Sequence, residues 1–204
     1  GARCNLPKLL LYSLNNGVDE VTGKQVGPRL GNDVHDEQTG ALDYDKVRAN
    51  FDVYMTWIAR LYANVMNIIH SSHDKYYYEA LPMALHDTDV HRFMAFGASG
   101  IATVADSLAA IKYGTVRPVR DERGIATAFD IDNATSLPRY GTDDDRADSI
   151  VNDVVTSFHS KLKDQHTYRG SQPTLCLLTI TSNVVYGKQT GDTPDGRKFG
   201  ECFA

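Results

Sequence analysis

"TLCLLTITSN" (residues 174–183) is an apolar run of strand length, rich in Thr, Leu and Ile, set in a chain that is otherwise periodic at helical spacing. It reads as a buried strand. Its surroundings are helical. Asn5 caps a helix over Leu6–Asn16, with Pro7 tolerated in the first turn and Gly17 closing it. Asp43 caps a long amphipathic helix from Tyr44 to His70, about 40 Å at ~1.5 Å per residue, with Val47, Phe51, Tyr54, Ile58, Leu61, Val65 and Ile68 as its inner stripe. Asp87 is read as the cap of a helix over Thr88–Phe96, and Ser99 as the cap of one running to Tyr113, closed by Gly114. "TVRPVRDERGIATAFDID" reads as a β-hairpin around "DERG", with Pro118 keeping its strand at an edge. Thr142 and the acids Asp143, Asp144 and Asp145 open a last helix with Ile150, Val154, Phe158 and Leu162 inside. Residues 18–42 read as a long loop. The fold class is therefore helix-rich α/β. One buried strand forms no sheet by itself, so its partners are expected elsewhere.

A net charge of −5 without any basic run argues against nucleic-acid binding. No apolar run approaches membrane-spanning length. Three distant cysteines, Cys4, Cys176 and Cys202, form no disulfide framework and no zinc spacing, which suits a reducing compartment. Both ends of the chain read as cut, so a fragment of a longer protein is expected.

The first helix breaks an electrostatic habit. Helix N-termini favour acids, yet this one has Arg3 ahead of the cap and Lys8 just inside. Guanidinium matches a carboxylate fork to fork, and exposed backbone N–H groups would assist it. Two readings stand: a small-anion grip, or a solvated arginine. Other candidates also carry two readings. His70 and His73 with Asp74, and His86 with His91, are metal ligands or histidines at helix ends. "GASGIATVAD" follows no strand in this reading, so it is helix packing rather than a phosphate loop. "TPDGR" is a tight turn whose Arg197 meets an anion or a structural partner. Asp143–Asp145 lack calcium-loop spacing. Cys4 is read as packing, the alternative being a thiol with no base.

Longer strings go further. "GARCNLPKLLLYSLNNGVDE", "NIIHSSHDKYYYEALPMALHD", "DSLAAIKYGTVRPVRDE" and "HTYRGSQPTLCLLTITSNVVYGKQTGDTPDGRKFG" resemble the pyruvate formate-lyase family of glycyl radical enzymes. The resemblance covers nearly the whole chain, least in the loop near Leu30–Leu42. It implies a ten-stranded α/β barrel with helices outside, of which residues 1–204 are a partial catalytic domain. It implies conversion of pyruvate and CoA to acetyl-CoA and formate, in a cytoplasmic (or organellar) homodimer of anaerobic glucose metabolism. The implied cofactor is a glycyl radical, installed by a radical-SAM activating enzyme, with CoA as co-substrate. Arg3, in the "GAR" string, takes the role of binding the pyruvate carboxylate. No Cys-Cys pair and no string resembling "RVSGYAV" occurs here, so no catalytic residue and no metal ligand is assigned within the chain, and the 204 residues alone are expected to be inactive. The alternatives are a related glycyl radical enzyme, either a 2-ketobutyrate lyase or a dehydratase, or a non-catalytic truncated paralogue.

Overall fold

Asn5 ends one element and begins the next. Arg3–Asn5 form strand β1 and Leu6–Leu14 form helix α1. The Asn5 side chain accepts the Lys8 amide at 3.0 Å, satisfying one of the helix's orphan donors. At the other end Gly17, at φ +82°, donates to the Tyr12 carbonyl at 2.8 Å. The computed structural model describes residues 2–77, 83, 85, 89–177 and 181–204.

Helix α2 (Tyr44–Tyr77) has 34 residues and runs past the expected end at His70. Asp43 caps it, accepting from the Lys46 amide at 2.9 Å. Its buried stripe begins as expected with Val47, Phe51 and Tyr54, then passes through Met55, Ala59, Tyr62, Ala63 and Met66. Leu61, Val65 and Ile68, expected inside, are exposed. Several spacings fit one periodic sequence, and tertiary packing selects the stripe.

Three parallel strands form the main sheet in the order β1–β2–β5, with β2 at Phe93–Ser99 and β5 at Gln172–Leu177. Three expectations change here. The helix over Thr88–Phe96 is not formed: residues 86–88 lie outside the described residues, and Phe93–Phe96 are strand. The pattern there has period two, with Phe93 and Ala95 exposed and Met94 and Phe96 buried. The strand at 174–183 starts earlier. Residues 178–180 lie outside the described residues, and Ser182–Gly187 are helix α5. Finally, among the described residues this strand is an edge: it pairs with β2, which pairs in turn with β1, and only its Pro173 is buried, so the expectation of a buried strand is corrected. The resulting α/β architecture agrees with the expected fold class.

Helix α3 (Ile101–Tyr113) follows β2 through Gly100 at φ +75°, which is its N-cap. Ser99, expected to cap it, is buried with its hydroxyl unpartnered. Gly114 is extended at φ −120° rather than left-handed, and a Cβ there would lie 2.9 Å from Leu137 Cδ2. Strands β3 (Thr115–Arg120) and β4 (Ala126–Asp132) form the expected hairpin, with a bulge at Val119/Arg120. Helix α4 (Asp145–Lys163) starts at Asp144, whose side chain accepts from the Arg146 amide, and buries Ile150, Val154, Phe158 and Leu162 as read. One hydrophobic core joins α1–α4 to the inner sheet face of Cys4, Met94, Phe96 and Ala98. The outer face, with Arg3, Phe93 and Ala95, is exposed.

Polar ties hold the chain's two ends together. Lys8 Nζ lies 2.9 Å from both Asp19 and Glu20 and donates to the Gln189 carbonyl at 2.8 Å. Glu20 also accepts the Gly191 amide at 2.7 Å. Arg197 donates to the carbonyls of Thr190, Gly191, Lys198 and Glu201, and so folds the "TPDGR" turn from within.

Two outcomes test this architecture. Phe158 is fully buried between α4 and the core, so Phe158→Ala should cost about 3–5 kcal/mol in urea denaturation; less than about 1 kcal/mol would refute the packing. Burial opposes ionisation of Asp19, yet hydrogen bonds from Lys8 and Thr22 outweigh it and hold the carboxyl at about 2, below its ordinary 3.8. The unfolded chain therefore binds more protons, and this contribution to stability is complete above 3.8 and fades as pH falls through about 2. Asp19→Asn should flatten the stability profile between about pH 5 and pH 2, and an unchanged acid limb would contradict the pairing.

Candidate functional site

The two cations at the start of α1 separate in the structure. Lys8 points to Asp19 and Glu20, and its charge is compensated within the fold. Only Arg3 was read as a candidate ligand-binding cation, and Lys8 is taken up by the fold. Arg3 is exposed on the outer sheet face, where its Nη1 donates to Ser182 Oγ at 3.2 Å. Among the described residues it meets no carboxylate. A serine hydroxyl orients a guanidinium without neutralising it, and the remaining N–H donors of the fork stay available.

Register places the neighbours. Arg3 stands opposite Gly97 in β2, and Gly97 opposite Cys176 in β5. A Cβ at position 97 would lie 3.1 Å from Arg3 Cγ and 3.5 Å from its Cδ. The glycine is therefore the surface over which the arginine stem lies. Beneath this row, the hydroxyl of Tyr62 from α2 receives the Gly97 amide at 2.9 Å and donates to the Ala2 carbonyl. On the flank of β1 away from β2, a cavity of about 320 Å³ is lined by Ala2, Arg3, Trp57, Leu61 and Val65 among others. The arrangement can hold a small anion against an open parallel sheet, with an apolar cavity alongside.

The remaining candidates resolve differently. Cys4 is buried, and desolvation pushes its thiol up to about 12, which disfavours the thiolate and suits the packing reading. His70, His73 and Asp74 line a second cavity of about 350 Å³. Asp74 there accepts from the Tyr168 hydroxyl and pairs with Arg169. Among the described residues no group of three or more His, Cys, Asp or Glu could hold a metal. His91 sits 3.2 Å from Asp89, and His86 lies outside the described residues. "GASG" ends strand β2, where the sequence reading had no strand, and its glycines serve close packing, as read. A Cβ on Gly100 would stand 2.4 Å from Pro7 Cγ. Among the described residues no helix is long and apolar enough to cross a membrane.

Sequence reasoning missed Gly97, Tyr62 and Ser182. Gly97 was visible only as the residue just past the expected Thr88–Phe96 helix and as part of a glycine-rich string, and Tyr62 lay outside the expected inner stripe of α2. Ser182 was assigned to a strand. All four residues of "FMAF" are apolar, so the alternation that brings Gly97 opposite Arg3 exists in burial and not in the sequence pattern.

Comparison with known proteins gives this geometry a setting. A family model described as pyruvate formate lyase-like matches residues 1–187. The chain is 53% identical, over all 204 residues, to the PFL-like enzyme TdcE of Escherichia coli (strain K12), of which it covers 26%. A glycyl radical enzyme from Archaeoglobus fulgidus superposes with a TM-score of 0.77 at 22% identity, over 98% of this chain and 27% of that one. The glycerol-bound B12-independent glycerol dehydratase of Clostridium butyricum gives 0.76 at 21% identity, over 98% and 27%. At such identities the two structures share the fold with this chain and establish nothing further. The chain spans about a quarter of the length of these relatives. With the match to the family model covering most of its residues, the chain belongs to the pyruvate formate lyase-like family.

Proposed function

We propose that these residues are part of the catalytic domain of a 2-oxo acid formate-lyase, in which Arg3 holds the substrate carboxylate. The observation that carries this reading is the exposed Arg3 guanidinium, oriented by a neutral hydroxyl and meeting no carboxylate among the described residues. The 53% identity to a PFL-like enzyme, running through the whole chain, favours carbon–carbon cleavage over dehydration. The reaction is pyruvate plus coenzyme A to acetyl-CoA plus formate, or the same cleavage of 2-ketobutyrate. One extra methylene separates those substrates, a difference of only about 1–3 kcal/mol in an apolar pocket.

In this reading the chain binds and orients. A bidentate grip on the carboxylate fixes the adjacent carbonyl carbon, so that orientation is set before chemistry begins. The glycyl radical and the thiol pair that splits the transfer into two steps belong to sequence outside these residues. Coenzyme A as second substrate, a radical-SAM activating enzyme and a homodimeric assembly complete the proposal.

The test uses the full-length protein that carries this segment, activated anaerobically. Arg3→Ala should raise KM for pyruvate or 2-ketobutyrate by about 10- to 100-fold, from ~1.5–3 kcal/mol for a charged hydrogen-bonded pair. The KM for coenzyme A should not move. An unchanged oxo-acid KM would overturn the role of Arg3, and release of an aldehyde from a diol in place of formate would overturn the reaction.

A further inference from the structure

We infer that Tyr62 is a positioning residue for Arg3, acting through a hydroxyl spliced between the Ala2 carbonyl and the Gly97 amide where the β1–β2 ladder begins. The inference rests on the carboxylate-binding reading of Arg3 and extends it to the helix behind the sheet. In a parallel pair, an amide on one strand normally donates directly to a carbonyl on the other. With Arg3 opposite Gly97, the partner of the Gly97 amide would be the carbonyl of Ala2. The structure shows an interposed group instead. The Gly97 amide donates to Tyr62 Oη at 2.9 Å, and the Tyr62 hydroxyl donates to the Ala2 carbonyl. The Gly97 carbonyl, 3.3 Å away, is a weaker second acceptor for the single phenolic proton.

This insertion has a geometric consequence. Ala2 precedes Arg3 directly and Gly97 faces it, so the hydroxyl fixes both peptides that define where the Arg3 stem leaves the sheet. Its own position is rigid. Tyr62 is 5% exposed, its ring meets Phe96 edge-on at a centroid distance of 4.9 Å, and it projects from the buried stripe of α2. Burial pushes the phenol up to about 12, so it keeps its proton and remains a donor throughout the physiological range. Gly97 completes the device by leaving room for Arg3 Cγ above the same peptide. Helix α2 thus sets the place of the guanidinium without touching substrate.

The experiment compares Tyr62→Phe, Arg3→Ala and the double variant in the activated full-length protein. Tyr62→Phe should raise KM for the 2-oxo acid by about tenfold, as expected for a displaced binding group, with the coenzyme A KM and the glycyl radical yield by EPR unchanged. In the Arg3→Ala background it should add nothing, because both changes remove one function. Should Tyr62→Phe fail to fold, a ring-fluorinated tyrosine at position 62 keeps the volume, alters only the hydroxyl's hydrogen bonding and should reproduce the selective KM change. Equal rises in both KM values, or additive effects in the double variant, would show a general structural role and overturn the inference. If Arg3→Ala raises the oxo-acid KM and Tyr62→Phe does not, this inference alone fails. If Arg3→Ala does not raise it, the underlying reading fails first.

Discussion

The absence of side chains at positions 97 and 100 is the constraint on which the rest of the structure depends. A Cβ on Gly97 would crowd the Arg3 stem, and one on Gly100 would overlap Pro7 and touch Phe203. These two positions let the β1–α1 corner descend onto the β2–α3 corner. Only then can Arg3 pair opposite Gly97 while Leu6, Leu9 and Leu10 enter the core behind it. Gly100 also needs φ +75°, a conformation that glycine adopts without strain. A turn and a close approach are therefore met by one residue type for two separate reasons. The glycine-rich string, read in the sequence as a packing element, acts as a packing surface in the structure.

The same corner sorts charge. A helix N-terminus, Arg3 and Lys8 together would make a strongly positive region. The loop after α1 returns Asp19 and Glu20 to Lys8, and the backbone beyond α5 adds the Gln189 carbonyl and the Gly191 amide. Lys8 thereby ties the start of the chain to residues more than 180 positions away. Arg3 is left with a hydroxyl. The contrast follows from the pleat, since Arg3 lies on the outer sheet face and Lys8 on the helix that packs the other. Charge on the inner side is compensated because burial demands it, whereas charge on the outer side can wait for a ligand.

How much of this was legible in the sequence depends on the range of the interaction. The caps at Asn5 and Asp43, the hairpin around "DERG" and the inner face of α4 were readable because each rests on residues within a few positions of one another. The strands β1 and β2 were not. Three residues carry no period, and "FMAFGAS" is short enough to suit either element until a partner strand is in place. Arg3 was singled out by local electrostatics and by resemblance. Lys8, singled out by the same electrostatics, belongs to the fold. The deciding carboxylates sit eleven and twelve residues on, in a loop whose path no local rule specifies. Tyr62 was invisible because it lay outside the expected stripe of α2, and its hydroxyl gains meaning only against two strands distant in sequence.

These long-range terms share one scaffold. Along α2, Asp52 receives Lys161 and Ser157 of α4, Tyr62 enters the β1–β2 ladder, and Asn67 bonds both the His166 carbonyl and the Tyr168 amide just before β5. A single long helix thus fixes α4, the first two strands and the approach to the third at successive turns. Groups held on regular elements keep their geometry better than groups on loops. Arg3 stands at the start of strand β1, next to peptides that hydrogen-bond the Tyr62 hydroxyl of that helix. In this fold the sheet register sets where the guanidinium stands, the glycine sets how close it lies, and α2 makes both insensitive to movement in the loops around them.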